Sequence, residues 1–207
     1  MRILERGSGI MRDNFTWLLL GGVILLSLLF EVTTLATSIQ ILSLERLTQS
    51  SSDAIQGKVT KIESFWNKNR TAIYTRVTLT RQRALKGSVP DEVDVFFPGG
   101  TVDGRTTIVI GAPEFKPGQE VVLFLNRATG YEEEVELPAA VVPFRLTDLL
   151  QGKFDVVADP ATGQKMAVSN AVKLIEKPAE IKPEMLPPGG MKGLPLTDLI
   201  NRVQQIR

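Results

Sequence analysis

Five consecutive apolar residues, Val121, Val122, Leu123, Phe124 and Leu125, constrain this chain more than any other feature. Side chains of a strand alternate between its two faces, so a run with no polar member buries both. Lys116-Pro117-Gly118-Gln119 stands just before it, with the Pro-Gly order of a type II turn. Segment 120–126 is therefore expected to be a central strand, covered on two sides by other parts of the chain.

Candidate partners read as short strands at 54–65, 72–81, 91–97 and 106–110, separated by Gly, Pro, Asn and Asp clusters. In 72–81, Ile73, Val77 and Leu79 fall on one face and Arg76, Thr78 and Thr80 on the other, as in a strand with one wet side. In 54–65, Ile55 and Val59 share a parity that Ile62 breaks, which a bulge or sharp coil near Lys58 to Lys61 reconciles. Segments 153–158 and 164–168 flank Asp159-Pro160-Ala161-Thr162-Gly163, a hairpin connection. Residues 43–48 read as a short helix capped by Ser43. At the other end, Leu196, Leu199, Ile200, Val203 and Ile206 form one apolar helical stripe with Thr197 as the cap, and the stripe is expected to dock on its own domain. The expected fold is mainly β: an OB-like antiparallel β-barrel with extra strands, a short N-terminal helix and a C-terminal helix. The expected divisions are a signal peptide or signal anchor at 1–37, a β-barrel domain at 38–176, a Pro/Gly-rich linker at 177–195 and an amphipathic helix at 196–207.

The leading segment points to export. Arg2, Arg6 and Arg12 precede FTWLLLGGVILLSLLF (15–30), which holds no charge, and small residues follow at Thr34-Leu35-Ala36 and Ala36-Thr37-Ser38. The run is shorter than the roughly 20 residues of a spanning helix, which favours a signal peptide cleaved after Ala36 or Ser38. The competing expectation is an uncleaved anchor, because Glu31 is the only charge between Asn14 and Leu44. Either Met1 or Met11 can serve as the start. The expected location is periplasmic or extracellular, with a cytoplasmic-membrane anchor as the alternative.

Composition narrows the chemistry. The chain has no cysteine and no histidine, which removes disulfides, thiolate and imidazole metal sites, and every triad that needs an imidazole base. With Lys+Arg 24 against Asp+Glu 23, the formal net charge is +1, so no basic excess points to nucleic acid. Glu132-Glu133-Glu134 reads as a solvated run, since adjacent residues cannot converge on one cation. Asp91, Glu92 and Asp94 read as the wet face of a strand. Pro98-Gly99-Gly100-Thr101-Val102-Asp103-Gly104 lacks the Lys-Ser/Thr pair and following helix of a phosphate cradle, so it reads as a connection between strands. Ser50, Ser51 and Ser52 with Lys58 show no spacing that supports a Ser/Lys dyad. Trp66-Asn67-Lys68-Asn69-Arg70, with Lys61 nearby, reads as a hairpin tip with Trp66 packed on the barrel; stacking a base or sugar is the sharper alternative.

The order of motifs carries a resemblance. SLERLTQSSSDAIQGKVTKIES, IYTRVTLTRQRALKG, FFPGG, IGAPEFKPGQEVVLFL and QGKFDVVADPATG together resemble a family of uncharacterised exported bacterial proteins, over about 42–163. More distantly, the helix followed by a Gly-x-Val strand and the Leu-Lys-Gly strand end are similar to netrin-like, or metalloproteinase-inhibitor-like, OB barrels. That resemblance implies a five-stranded barrel with added strands. Inhibitors of that kind act through an N-terminal cysteine, which this chain lacks, so it implies no inhibitory residue.

Together these readings lead to an exported, non-catalytic binding module with no catalytic, cofactor-binding or metal residues and no cofactor. Its expected partner is a protein or glycan of the envelope, with no nucleic acid, and with membrane contact only through an uncleaved N-terminus. The loop 99–113 and the hairpin tip at Trp66 are the candidate surfaces. The alternative is a carboxylate-based hydrolase with paired acids about 5 to 9.5 Å apart, acting on an envelope or extracellular substrate.

Overall fold

The computed structural model describes residues 41–130, 135–137, 141–174 and 186–206. The expected signal segment, the run Glu132-Glu133-Glu134 and residues 175–185 of the Pro-rich stretch lie outside these residues. Helix α1 (Leu44–Ser50) starts where Ser43 caps it, its hydroxyl accepting from the Arg46 amide at 3.3 Å. It stops where the Thr48 and Ser51 hydroxyls donate back to the carbonyls of Leu44 and Leu47.

Ten strands follow: β1 (Asp53–Trp66), β2 (Ile73–Lys86), β3 (Glu92–Pro98), β4 (Gly100–Val102), β5 (Arg105–Thr107), β6 (Glu120–Arg127), β7 (Pro143–Leu146), β8 (Lys153–Ala158), β9 (Lys165–Ser169) and β10 (Leu194–Pro195). Helix α2 (Leu196–Gln205) closes the described chain. Eight strands make one sheet in the order β1-β2-β3-β7-β6-β8-β9-β10, and β1 also pairs with β6. The sheet is thus partly closed into a ring by the circuit β1, β2, β3, β7, β6 and back to β1.

The sheet is mixed, which corrects the all-antiparallel expectation. Strands β3 and β7 run parallel through Asp94↔Pro143 and Val95↔Phe144, while the other pairings are antiparallel. The reason is one of parity. Strands that alternate in direction cannot close a circuit of five, so one neighbouring pair must be parallel.

Strand β6 is central, as its sequence requires. Val121 to Leu125 are all fully buried. Val121, Leu123 and Leu125 point to one core with Ile55, Val59, Val77, Leu79, Val95 and Phe144. Val122 and Phe124 point to a second core with Leu44, Leu47, Phe154, Leu199 and Val203. The turn before β6 closes with the Gln119 amide donating to the Lys116 carbonyl at 3.0 Å, and Gly118 takes φ +80°.

The parity break in β1 resolves as the sequence predicts. The register against β2 shifts between Val59 and Lys61, leaving Thr60 unpaired and returning Ile62 to the face of Ile55 and Val59.

Three local expectations change. The strand expected at 106–110 is only Arg105–Thr107, because β5 pairs with β4 alone through three rungs. Ile108 and Ile110 then stand 85% and 90% exposed. Within the stretch read as linker, Leu194–Pro195 forms β10 on the edge of β9, preceded by a 3-10 turn at Gly190–Lys192. Helix α2 begins at Leu196 with Pro195 at the N-cap, so Thr197 lies inside the first turn and caps nothing. Leu196, Leu199, Ile200 and Val203 are buried in the core shared with α1, so the apolar stripe docks within the chain.

Candidate functional site

An open cleft of about 550 Å³ lies at the β1–β2 hairpin. Its apolar wall is aromatic: Phe65 and Trp66 from the end of β1, and Phe96 from β3. Phe65 and Phe96 meet edge to face, with centroids 6.3 Å apart and planes at 82°. The hairpin tip is built by Asn67, whose side-chain oxygen accepts from the amides of Thr71 at 2.7 Å and Ala72 at 3.0 Å. Arg70 takes the left-handed φ of +54° in that turn, which brings its guanidinium 5.8 Å from the centre of the Trp66 ring.

From sequence, this tip and the loop 99–113 are two separate candidate surfaces. The structure joins them. Residues 100–107 form a hairpin of their own, turning at Asp103-Gly104. Asp103 reaches across to accept from the Trp66 indole nitrogen at 3.3 Å and pairs with Arg70 at 3.6 Å. What brings the second hairpin so close is Gly100, at φ +129°. A Cβ there would overlap the hydroxyls of Ser64 and Thr75, which themselves lie 2.9 Å apart. The Asp-Gly pair between short β-prone runs is a hairpin signal that was present in the sequence. The contact it makes with Trp66 had no local signal.

Charges around the cleft are paired. Glu63 accepts from Arg76 at 2.6 Å across the β1–β2 ladder and from Lys61 at 2.7 Å. Lys61 first, and Arg76 second, hold its carboxyl below the usual carboxylate range despite some desolvation. Asp94 accepts from Thr78 at 2.6 Å and lies 3.9 Å from Arg76. Asp94 is therefore half-buried within this network, whereas Asp91 and Glu92 are exposed as the wet-face reading expects. Glu136 also lines the cleft. As the spacing implies, Ser51 and Lys58 make no dyad: the Ser51 hydroxyl is committed to the Leu47 carbonyl and to Thr147, and Lys58 is exposed. Asp159 spends its carboxylate on the turn it opens, accepting from the amides of Ala161 and Thr162.

A comparison with protein-family models finds no match, and neither does a comparison with curated proteins.

One buried charge had no sequence signal at all. Lys153, at the start of β8, has a side chain that is 0% exposed. Its ammonium pairs with Asp155 and sits 4.8 Å from the centre of the Phe115 ring. Burial pulls its pKa below the ordinary lysine value, and the Asp155 carboxylate opposes that shift. Asp155 also accepts from Gln119 at 2.8 Å. The pair faces neither the aromatic cleft nor any group placed to act as a nucleophile, so its role is in the packing of β8.

Proposed function

We propose that this chain is an exported, non-catalytic binding module of OB type whose aromatic cleft holds a glycan. Support for the OB-type reading is the five-strand circuit, with its parallel β3–β7 contact and added strands β8 to β10. The observation that carries the binding reading is the half-exposed pair Phe65 and Trp66, backed by the buried Phe96, lining one open cleft beside the ion pairs Glu63–Arg76 and Asp103–Arg70. Aromatic faces accept the apolar face of a sugar ring, while Arg76, Glu63 and Asn67 offer donors and acceptors for hydroxyls. Because these groups are already fixed by one another, little side-chain ordering is needed on binding. Against a carboxylate hydrolase weighs the state of Glu63. A general acid needs a raised pKa, and this carboxyl is lowered by two cations.

The test is calorimetric titration of the purified chain with soluble N-acetylglucosamine oligosaccharides. Saturable binding is expected, weakened about fivefold or more by Trp66→Ala, the loss of one stacked ring at ~1–3 kcal/mol. Binding unchanged by Trp66→Ala, or no heat with any oligosaccharide, overturns the glycan reading. Cleavage of the oligosaccharide would establish the hydrolase instead.

A further inference from the structure

A second surface is apolar rather than polar, and the path of the chain says what covers it. Ile108 and Ile110, at the start and in the turn of the unpaired segment after β5, are 85% and 90% exposed, while Val109 between them is half-buried against Gly99. The run Thr106-Thr107-Ile108-Val109-Ile110 holds five β-branched residues and no charge, yet past Thr107 it pairs with no strand among the described residues. Immediately beside it the Leu150 amide donates to the Gly111 carbonyl at 3.2 Å. There Leu149, 39% exposed, is held at φ +52° directly after Asp148 at φ +52°. Two consecutive non-glycine residues in the left-handed region are strained, and here the strain presents a leucine to the outside.

The same corner receives the chain from its N-terminal segment. The Leu42 amide donates to Gln151 Oε1 at 2.9 Å, two residues from Leu149. From Phe30, the last residue of the charge-free run, to Leu42 the extended chain reaches at most about 40 Å. If that run stays uncleaved as an anchor, the chain leading to it departs from the described domain beside Leu149.

We propose that Ile108, Ile110 and Leu149 form a lipid-contacting patch that seats the domain on the membrane. The contact is apolar in character. Beside Leu149 the charges are of both signs, Arg145 against Asp148, so the patch needs no anionic lipid.

The absence of cysteine makes a direct test possible, because one introduced thiol is unique. The full chain carrying Ile108→Cys, labelled with an environment-sensitive fluorophore, is reconstituted into phosphatidylcholine vesicles. Thr162→Cys, at the exposed β8–β9 tip, serves as the control site. The expected result is a blue shift of the label at 108, loss of its quenching by aqueous iodide and gain of quenching by brominated acyl chains, with none of these at 162. Adding Ile110→Asp should restore iodide quenching at 108 while leaving the melting temperature unchanged, since Ile110 covers nothing in the fold. Equal iodide quenching at 108 and 162 overturns the proposal. So does shielding from iodide without quenching by brominated chains, which would show that a second protein copy covers the patch.

Discussion

The two cores on either side of β6 are assembled from different kinds of chain. The one that Val121, Leu123 and Leu125 enter is built by the ring strands β1, β2, β3, β6 and β7, with Val89 from the β2–β3 connection, so most of its members are joined by short hairpins. The one that Val122 and Phe124 enter draws on α1 and Ala54 at one end of the described chain, and on Leu194 and α2 at the other. The first core is formed by alternation within neighbouring strands. The second exists only once distant segments have met. They also differ at the margin. Phe154 of β8 enters the helix-side core fully, whereas its neighbour Lys153 lies opposite Leu123 and brings a charge to the border of the ring side.

That contrast can be broken first by deletion of core side chains. Leu123→Ala and Leu199→Ala each empty a fully buried site, and each should cost about 2–5 kcal/mol in denaturant unfolding. Hydrogen exchange should separate them: Leu199→Ala loosens amides of α1, α2 and β10 while the β1–β2 and β1–β6 ladders stay protected, and Leu123→Ala weakens all of them. Equal loss across the sheet in both variants would mean that the two cores unfold as one.

A smaller effect tests the charged border. Lys153→Met removes a desolvated ammonium, and Asp155 stays partly exposed with Gln119 still donating to it, so neutral-pH stability should hold or rise rather than fall by the ~3–5 kcal/mol of an orphaned buried charge. The sign of the pH dependence follows from burial. The folded-state pKa of Lys153 lies below its ordinary value of 10.5, so between the two the unfolded chain binds the extra proton and stability rises with pH. Urea midpoints taken from neutral pH toward 10.5 should show that rise in the parent relative to Lys153→Met, and parallel curves would refute it.

The smallest effect lies on the outer face of the ring strands. Glu63→Gln loses pairs with Lys61 and Arg76 that are open to solvent, for about 0–1 kcal/mol. Because the folded pKa is lowered, the contribution is present above the ordinary value of 4.5 and fades as pH falls through the folded one. The two proteins should therefore melt alike in acid.

The sequence by itself determined the features whose causes lie within a few residues of one another. The unbroken run Val121 to Leu125 required a strand buried on both faces. The parity of Ile55, Val59 and Ile62 required a bulge, and Ser43, Pro117-Gly118 and Asp159 marked a cap and two turns. The spacing of Leu196, Leu199, Ile200 and Val203 required a helix with one apolar side, though its cap was misread because Pro195 fixes the first turn without a side-chain acceptor. The Asp103-Gly104 turn was equally local and was hidden by reading its surroundings as one long loop. Only the tertiary structure decided the rest. The parallel β3–β7 pairing follows from closing five strands, a constraint that no single strand carries. Trp66 meets Asp103 because a glycine thirty-four residues away lets two hairpins approach. Lys153 pairs with Asp155 two residues on, but the Phe115 ring beneath its ammonium comes from thirty-eight residues away, and nothing local announces it. Periodicity and turn chemistry act over a few residues, whereas a cleft and a buried charge are made by chain segments that only the fold brings together.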